Sequence, residues 1–267
     1  MGTTRTPVVF IHGLWLHAES WKNWIEFFRQ AGYEPIAPPW PGIPATVTEA
    51  RAHPEGIAGR GITEVSDHYA QIIRSLDAKP IVVGHSFGGL IAQNLLARGL
   101  AAAAIAIDAA PIKGVLPLPL SALRVAFVAL KNPANNRRAV SLTAQEFRYG
   151  FANAVSAEEA ADLYQRWTIP APGRPLFQAA FANLNPYAAS RVDTATAARG
   201  PLLLIAGEKD HTVPPVITKA TLQQYRRSPA VTDLIEIPGR GHSLTIDSGW
   251  RVVADTALTW LRRHSLS

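Results

Sequence analysis

The chain contains 267 residues, of which 48% are hydrophobic and 17% are charged, and it has a formal net charge of +6 and no cysteine. This composition excludes an intrinsically disordered protein, and the lack of cysteine excludes disulfides, thiolate metal ligands and cysteine nucleophiles. The positive charge forms no stripe, because the arginine pairs at 137–138, 226–227 and 262–263 are isolated from one another. We therefore expect a solvated basic surface and no nucleic-acid partner.

The beginning of the chain carries no targeting or membrane signal. Residues 1–7 lack the long apolar stretch of a signal peptide, and Gly2 is not accompanied by a second membrane signal. The sequence has no run of about 18 apolar residues, so we expect no membrane span. These features favour a soluble, cytoplasmic protein with one large α/β domain and an inserted subdomain.

The first part of the chain alternates between short apolar runs and amphipathic stretches, which is typical of an α/β protein. Continuous apolar runs predict strands buried on both faces of a parallel sheet, and they occur at 7–11, 33–37, 80–83 and 103–107. The last of these is rich in alanine, a helix former, and is assigned as a strand because it lies between two turn signals. Helices are predicted after an N-cap at Ser20, from Thr63 and from Phe87, whereas residues 45–62 are predicted as a polar excursion.

The strand that ends at Val83 runs directly into Gly84-His85-Ser86-Phe87-Gly88, which matches the pattern G-x-S-x-G. A strand, a sharp turn and a helix in this order lift a serine hydroxyl clear of the sheet, where a base can activate it. Glycines suit such a turn because the residues on either side of the serine crowd each other there, and glycine has no Cβ. The helix that follows directs backbone N–H groups and the positive end of its dipole at the serine.

Between residues 110 and 198 the alternation stops, and no buried strand is predicted. Proline-punctuated segments predict four short helices, at 121–131, 143–153, 156–167 and 175–183. Ser156 followed by Glu159 has the sequence pattern of a capping box. We therefore predict a helical cap at 110–198, inserted into an α/β core that consists of residues 1–109 and 199–267.

The alternating pattern resumes after the predicted cap. Strands are predicted at 201–206 and 231–237, and helices are predicted from Pro214 and from about Trp250. Asp247 lies just before the last helix and is predicted to cap it.

The polar residues that suit catalysis follow the ends of predicted strands. Parallel α/β sheets place their sites at the carboxyl ends of the strands, so a site is expected where these residues meet. His12-Gly13-Leu14 follows the first strand, and later strands are followed by Ser86, Asp108, Asp210 and His242. The order Ser86, Asp210, His242 is the order in which G-x-S-x-G serine hydrolases carry the nucleophile, the acid and the base.

The chain resembles the α/β-hydrolase superfamily in four segments: F-I-H-G-L-W at 10–15, G-H-S-F-G-G at 84–89, G-E-K-D-H-T-V-P at 207–214 and G-R-G-H-S at 239–243. It looks most like the small bacterial serine esterases and the cofactor-free haloperoxidase-type members. The resemblance implies the α/β-hydrolase fold, with a mostly parallel six-stranded sheet that begins at the family's third strand and is flanked by helices. It also implies a helical cap between the family's sixth and seventh strands.

The resemblance and the chemistry of the side chains together assign roles to the strand-end residues. Ser86 would attack an acyl carbonyl, and His242, with an unperturbed pKa of about 6.5, would take the serine proton and return it to the leaving group. Asp210 would hold the imidazole in the required tautomer. The backbone N–H groups of Leu14 and Phe87 would form the oxyanion hole.

Several of these positions have alternatives. Asp108 also ends a strand, and some family members carry the acid there, but we favour Asp210. The N–H group of Trp15 is an alternative to that of Leu14 in the oxyanion hole. His85 is expected to point away from the face of the nucleophile and to be structural.

The substrate pocket is the least specified part of the predicted site. Trp15, His12, Trp167 and Phe147 are candidates for its lining, although His12 is also expected to form structural hydrogen bonds behind the oxyanion loop. Most other aromatic residues of the cap are expected to form its own core. The remaining histidines have no partner pattern, so we expect neither a metal ion nor a cofactor.

These residues predict a serine hydrolase that cleaves a small or medium, largely apolar carboxylic ester through an acyl-enzyme intermediate. A thioesterase, an acyltransferase, a perhydrolase and a hydroxynitrile lyase use the same three residue types, and the sequence does not separate them. A binding protein that has lost catalysis is disfavoured, because it would not need all of these parts. The expected partner is a small-molecule ester, and the oligomeric state is left open.

Overall fold

The computed structural model describes residues 5–266, so Gly2 and the rest of residues 1–4 lie outside the described residues. In chain order the elements are β1 (Pro7–Ile11), α1 (Lys22–Gln30), β2 (Glu34–Ile36), α2 (Val47–Ala52), α3 (Ile62–Arg74), β3 (Ile81–His85), α4 (Phe87–Ala97), β4 (Ala103–Ile107), α5 (Leu120–Leu130), β5 (Ala139–Val140), α6 (Ala144–Gly150), α7 (Ala157–Trp167), β6 (Ala171–Pro172), α8 (Arg174–Ala180), β7 (Leu202–Gly207), α9 (Pro215–Gln224), β8 (Thr232–Ile237) and α10 (Trp250–Arg263).

Six of the strands form one sheet in the order β2-β1-β3-β4-β7-β8, and every neighbouring pair is parallel. The four central strands are buried along their whole length, which explains why they read as continuous apolar runs. The alanine-rich strand at 103–107 lies in the middle of the sheet, as its position between two turns predicts. The predicted six-stranded sheet flanked by helices is confirmed.

Alternate side chains of each strand pack on two different layers of helices. Val8 and Phe10 of β1 belong to a core cluster that also contains residues of α1 and α10. Val9 and Ile11 face the other side, where residues of α3, α4 and α9 complete the second cluster. The sheet is therefore covered on both faces, and its carboxyl edge is left to carry a site.

The segment between β4 and β7 contains helices α5 to α8 and also a small piece of sheet. β5 and β6 pair antiparallel, with Ala139 opposite Pro172, a two-residue pairing that is too short to leave a sequence pattern. An isolated bridge joins Leu16 to Thr168 and so links this segment to the loop after β1. Among residues 5–266, none of the helices is both long enough and apolar enough to cross a lipid bilayer.

The start of α1 differs from the prediction. Ser20 does not cap this helix but lies within a 3-10 turn, Ala18–Trp21, that precedes it. His17 caps that turn, since its Nδ1 accepts the N–H group of Glu19 at 3.1 Å. A histidine is a rare cap, and the sequence therefore favoured the nearby serine instead.

The polar excursion at 45–62 contains helix α2. Thr46 and Glu49 form a complete capping box at its start, with the Glu49 backbone N–H donating to Thr46 Oγ1 at 3.2 Å. The T-x-x-E pattern was present in the sequence and could have revealed this helix.

Two other predicted helix caps are only partly correct. Ser156 Oγ accepts the N–H group of Glu159 at 3.1 Å, but the Glu159 carboxylate accepts the N–H group of Ser248 at 2.6 Å instead of closing the capping box. Asp247 lies two residues before Gly249, the N-cap of α10, and accepts its N–H group at 3.1 Å.

Candidate active site

Ser86 lies at the turn between β3 and α4 in an unusual backbone conformation. Its φ of 57° and ψ of −123° fall in a region that residues with a side chain seldom adopt. The Ser86 N–H donates to the Ile107 carbonyl at 2.9 Å, and the Ser86 carbonyl accepts the N–H of Ala110 at 3.0 Å. A Cβ at Gly84 would overlap the carbonyl group of Gly88, so this turn requires glycine. This is the strained strand-to-helix turn that G-x-S-x-G predicts.

The loop after β1 passes directly beside Ser86. A Cβ built on Gly13 would lie 2.6 Å from Ser86 Cβ and 3.3 Å from Ser86 Oγ, so only glycine fits without displacing the serine. The backbone N–H groups of Leu14 and Phe87 donate to no acceptor within residues 5–266. Free N–H donors in the residues that follow Gly13 and Ser86 are what an oxyanion hole requires.

The loop after β8 places His242 against the loop after β7. His242 Nδ1 lies 2.6 Å from Asp210 Oδ2, and both side chains are fully buried. Asp210 Oδ1 accepts the N–H groups of Thr212 at 2.6 Å and Val213 at 2.9 Å, which fixes the carboxylate. Because His242 Nδ1 donates to the carboxylate, its Nε2 is an acceptor, and Nε2 has no hydrogen-bond partner among the described residues. An imidazole held in this way is ready to accept a proton at Nε2.

Two residues that sequence reasoning did not assign to the site contact His242. His85 Nε2 donates a hydrogen bond of 2.9 Å to the His242 carbonyl, and the two rings are 4.5 Å apart, so His85 supports the loop that carries His242. Phe151, from the segment between β4 and β7, packs edge-on against the His242 ring at 4.7 Å between centroids. Burial, followed by the neighbouring His242, lowers the pKa of His85 well below its usual range and keeps it neutral.

Asp108 also reaches the site, at the end of β4. Its Oδ1 accepts the N–H group of Gly207 at 2.7 Å, while its Oδ2 lies 3.9 Å from His242 Nδ1, beyond hydrogen-bond distance. Burial, followed by the negative charge of Asp210, raises the pKa of Asp108 well above its usual range. The surroundings of Asp108 therefore favour its neutral form beside the His242–Asp210 pair.

His85, Asp108 and His242 are also residue types that bind metals, and one possible ligand atom from each lies within 4.8 Å of the other two. One nitrogen of each histidine, His85 Nε2 and His242 Nδ1, is engaged in a hydrogen bond within the protein, whereas the other nitrogen of each has no partner among the described residues. The raised pKa of Asp108 disfavours the ionised form that a metal ligand must take.

Two of the pocket candidates belong to the loop after β1. His12 donates from Nδ1 to the Gly13 carbonyl at 2.8 Å and accepts the Trp40 N–H at Nε2 at 3.2 Å, so both ring nitrogens serve this loop. Trp15 is buried with a positive φ of 63°, and its Nε1 donates to the Val140 carbonyl at 2.9 Å. Both residues shape the wall beside Gly13 and Ser86.

The other two candidates lie in the segment between β4 and β7, residues 110–198, which we call the inserted segment. Phe147 is fully buried and stacks on Phe151 at 5.2 Å, so it lies one ring behind the residue that contacts His242. Trp167 lies along an open groove instead, with Lys22 Nζ 5.0 Å from its ring centroid.

The catalytic candidates are closed off from solvent. Ser86 is 4% exposed, Asp210 is 3% exposed and His242 is fully buried. Beside the loop after β1 lies only a narrow crevice of about 140 Å³, lined in part by residues 12–16 and 169–172. The groove along Trp167 is larger, at about 1010 Å³ by the same measure, but is lined by none of these three residues.

The parallel sheet, the strained serine turn and the buried His–Asp pair agree with one family. The profile described as the Alpha/beta hydrolase family matches residues 8–256. The chain therefore belongs to the α/β hydrolase family.

Individual relatives are more distant. The AB hydrolase superfamily protein YfhM of Bacillus subtilis (strain 168) is 35% identical over 89 residues, which cover 33% of this chain and 29% of that protein. The chain thus aligns with less than a third of that relative's length.

Solved structures share the fold over nearly the whole chain. One is an extracellular α/β-hydrolase from a Paenibacillus species, described as sharing structural and functional homology with tobacco salicylic acid binding protein 2. The two structures superpose with a TM-score of 0.69 and 20% sequence identity, and the match covers 95% of this chain and 98% of that one. Another is the monoacylglycerol lipase of Paleococcus ferrophilus, with a TM-score of 0.68, 21% identity, and coverage of 97% and 94%. At these identities the likeness concerns the fold.

Proposed function

We propose that the protein is a carboxylic-ester hydrolase in which Ser86, His242 and Asp210 act as nucleophile, base and acid. The observation that carries this proposal is the hydrogen bond of 2.6 Å between His242 Nδ1 and Asp210 Oδ2. His85, the residue before the strained Ser86, contacts His242 and so brings the two parts together. Membership in the α/β hydrolase family supports it, as do the esterases and lipases among the proteins that share the fold.

In the proposed reaction, Ser86 Oγ attacks the acyl carbon while His242 Nε2 takes the hydroxyl proton. Asp210 stays ionised and stabilises the imidazolium through Nδ1–H. The charge that develops on the carbonyl oxygen is bound by the N–H groups of Leu14 and Phe87, each worth about 3–4 kcal/mol of transition-state stabilisation in sites of this kind. His242 then protonates the leaving alkoxide, and a water molecule activated by the same Nε2 hydrolyses the acyl-enzyme.

The proposed substrate is a small-molecule ester with a largely apolar acyl group. The ring of Phe151 lies next to His242, with Phe147 stacked behind it, and supplies apolar surface on that side. We propose that residues 110–198 form a cap that must open for substrate to reach Ser86. The burial of the catalytic candidates and the contact of Phe151 with His242 support this proposal. Closure would exclude water and strengthen the charges of the site.

Covalent labelling tests the nucleophile. A fluorophosphonate should modify Ser86, and mass spectrometry of the modified peptide should locate the label on residues 84–89. Ser86→Ala should lose the label and lower the turnover of p-nitrophenyl esters by about 10⁴-fold or more. The matched control is Ser75→Ala, which removes an exposed hydroxyl at the end of α3.

Two results would contradict the proposal. Near wild-type ester turnover by Ser86→Ala would remove the serine from the mechanism. A folded protein that neither takes up the label nor hydrolyses any ester in an acyl-chain-length series would support the binding-protein alternative.

A further inference from the structure

Large apolar side chains are exposed mainly in one part of the molecule. Among the described residues, the exposed large hydrophobics outside residues 110–198 are three valines, Val216, Val231 and Val252. The other exposed large hydrophobics all lie within the inserted segment: Leu116, Leu118, Leu120, Leu123, Phe127, Phe181, Leu184 and Tyr187. We refer to these eight residues as the apolar patch. Scattered surface leucines are ordinary, but a concentration of this kind marks an interaction surface.

Helix α5 shows that the exposure is systematic. Leu120, Leu123 and Phe127 are spaced i, i+3, i+7 and so share one face of the helix, where they are 84%, 43% and 62% exposed. Val125 and Val128 lie on the opposite face and are buried against the protein. An α-helix that is apolar on both faces has one face that its own protein leaves uncovered.

The two halves of the apolar patch are held together by hydrogen bonds. The side chain of Asn183 accepts the N–H group of Gly114 at 2.8 Å and donates to the Val115 carbonyl at 3.0 Å. These bonds place residues 114–115, just before Leu116, against the 3-10 turn Ala182–Leu184. The parts of the patch around Leu116 and Leu184 therefore lie together although they are distant in the sequence.

The charged residues within or beside the apolar patch in sequence are mostly basic. The basic ones are Lys113, Arg124, Lys131 and Arg191, whereas the acid that follows the patch, Asp193, accepts the N–H group of Ala195. Lys113 and Arg191 adjoin the patch, because the Lys113 N–H donates to the Ser190 carbonyl at 3.1 Å. Arg124 and Lys131 lie on α5 or at its end. The acid that follows in sequence, Glu146, is engaged in a capping box with Thr143.

We propose that the apolar patch docks this protein onto an anionic lipid surface. Exposed leucines and aromatic rings bordered by basic side chains are what an interfacial, non-spanning membrane contact requires. The charge also argues against a second copy of the chain as the occupant, because two such patches would bring the same positive charges face to face.

Docking would place the lipid surface over the helices that cover the site. Helix α5 packs on the end of α6, where a Cβ on Gly150 would lie 3.0 Å from Val125 Cγ2. The next residue, Phe151, contacts His242. The patch thus lies on the outer side of the proposed cap at residues 110–198. An ester dissolved in the lipid would therefore reach the protein at this cap. This last step rests on the proposed function, whereas docking itself does not.

Vesicle co-sedimentation of the full chain tests the docking. The protein should sediment with vesicles that contain phosphatidylglycerol, should bind pure phosphatidylcholine vesicles much more weakly, and should be released by salt. The variant Leu120→Ser/Leu123→Ser/Phe127→Ser should lower the partition coefficient by at least about tenfold, because three apolar side chains lose their lipid contact. Val216→Ser/Val231→Ser/Val252→Ser removes three exposed apolar side chains elsewhere and should bind like the wild type.

A second pair of variants tests the charge. Lys131→Gln/Arg191→Gln should weaken binding to anionic vesicles by about fivefold for each charge removed. Arg226→Gln/Arg227→Gln removes the same charge outside the inserted segment and should have little effect. Two measurements separate docking from catalysis. The docking variants should hydrolyse a soluble ester at the wild-type rate, and the inactive Ser86→Ala protein should bind vesicles like the wild type.

Three outcomes would overturn the proposal. The wild type could fail to bind either kind of vesicle. It could bind both kinds equally, with no effect of the charge variants. Alternatively, sedimentation velocity could show a dimer that the apolar triple variant abolishes, with no vesicle binding, which would assign the surface to self-association. Circular dichroism and thermal melting of each variant establish that it is folded.

Discussion

Two buried carboxyl groups, Asp108 and Asp210, lie close to the same histidine nitrogen, and their surroundings divide the roles between them. Asp210 accepts two backbone N–H groups and the His242 Nδ1–H, as an ionised carboxylate does. Asp108 accepts one backbone N–H group and has its pKa raised by burial and by Asp210. The structure therefore favours Asp210 as the acid.

Paired amide substitutions test this division. Asp210→Asn should lower kcat/KM for an ester by about 10⁴-fold, because an amide does not hold His242 in the tautomer that leaves Nε2 free. Asp108→Asn should cost about fivefold or less, since an amide resembles a neutral carboxyl group and keeps the oxygen that accepts the Gly207 N–H. The reverse order of the two losses would make Asp108 the acid.

His12 makes the stability of the protein depend on pH. Burial lowers the pKa of His12 from its ordinary 6.5 to about 3. Above pH 6.5 the imidazole is neutral in both the folded and the unfolded chain, so it contributes no pH dependence. Between pH 6.5 and 3 the His12 imidazole binds a proton in the unfolded chain but stays neutral in the native state. The free energy of unfolding should therefore fall, through His12 alone, by about 1.4 kcal/mol for each unit by which the pH drops.

Urea denaturation at several pH values between 7.5 and 4.5 measures this slope. His12→Asn does not titrate, so its slope below pH 6.5 should be smaller than that of the wild type by about 1.4 kcal/mol per pH unit. NMR of the His12 ring in the wild type should show a proton on Nδ1, which donates to the Gly13 carbonyl, without titration down to about pH 4.5. Equal slopes in the two proteins would place the acid sensitivity elsewhere.

At the scale of elements, the strands and the order of the site residues were accessible from the sequence. A strand buried on both faces must be apolar throughout, and that requirement makes 7–11 and 201–206 visible without any three-dimensional information. Parallel strands bring their carboxyl ends to one edge, so residues that follow separate strands can be expected to meet. The loops after β7 and β8 meet in this way at Asp210 and His242.

The contacts that the sequence does not reveal join residues that are far apart in the chain. His85 and His242 are separated by 157 residues, and no local pattern marks their hydrogen bond. The contact of Phe151 with His242 likewise depends on how the inserted segment folds back over the core. The raised pKa of Asp108 depends on burial and on its neighbour Asp210, so it also needs the folded structure.

At the scale of the whole molecule, the inserted segment is fastened to the core at separate points around the site. The Glu159 carboxylate accepts the Ser248 N–H at 2.6 Å, shortly after His242 in the chain. On another side, Arg51 of α2 donates to the carbonyl groups at the end of α7, with 2.8 Å to Thr168 and 2.7 Å to Gln165. The hydrogen bonds between α2 and α7 thus come from one exposed arginine, while Gly59 and Ile62 are bonded to Arg174 and Gln178 of α8.

Loss of this arginine should make the site easier to open. Arg51→Ala removes hydrogen bonds that are largely exposed and therefore worth about 1 kcal/mol, so the open fraction of the molecules should rise about fivefold. In the proposed mechanism the reagent reaches Ser86 only when residues 110–198 move, so the rate of fluorophosphonate labelling under excess reagent measures that fraction. Arg74→Ala, an exposed arginine at the end of α3, is the control and should label at the wild-type rate. A labelling rate that is the same in Arg51→Ala and in the control would mean that opening does not involve the contact between α2 and α7.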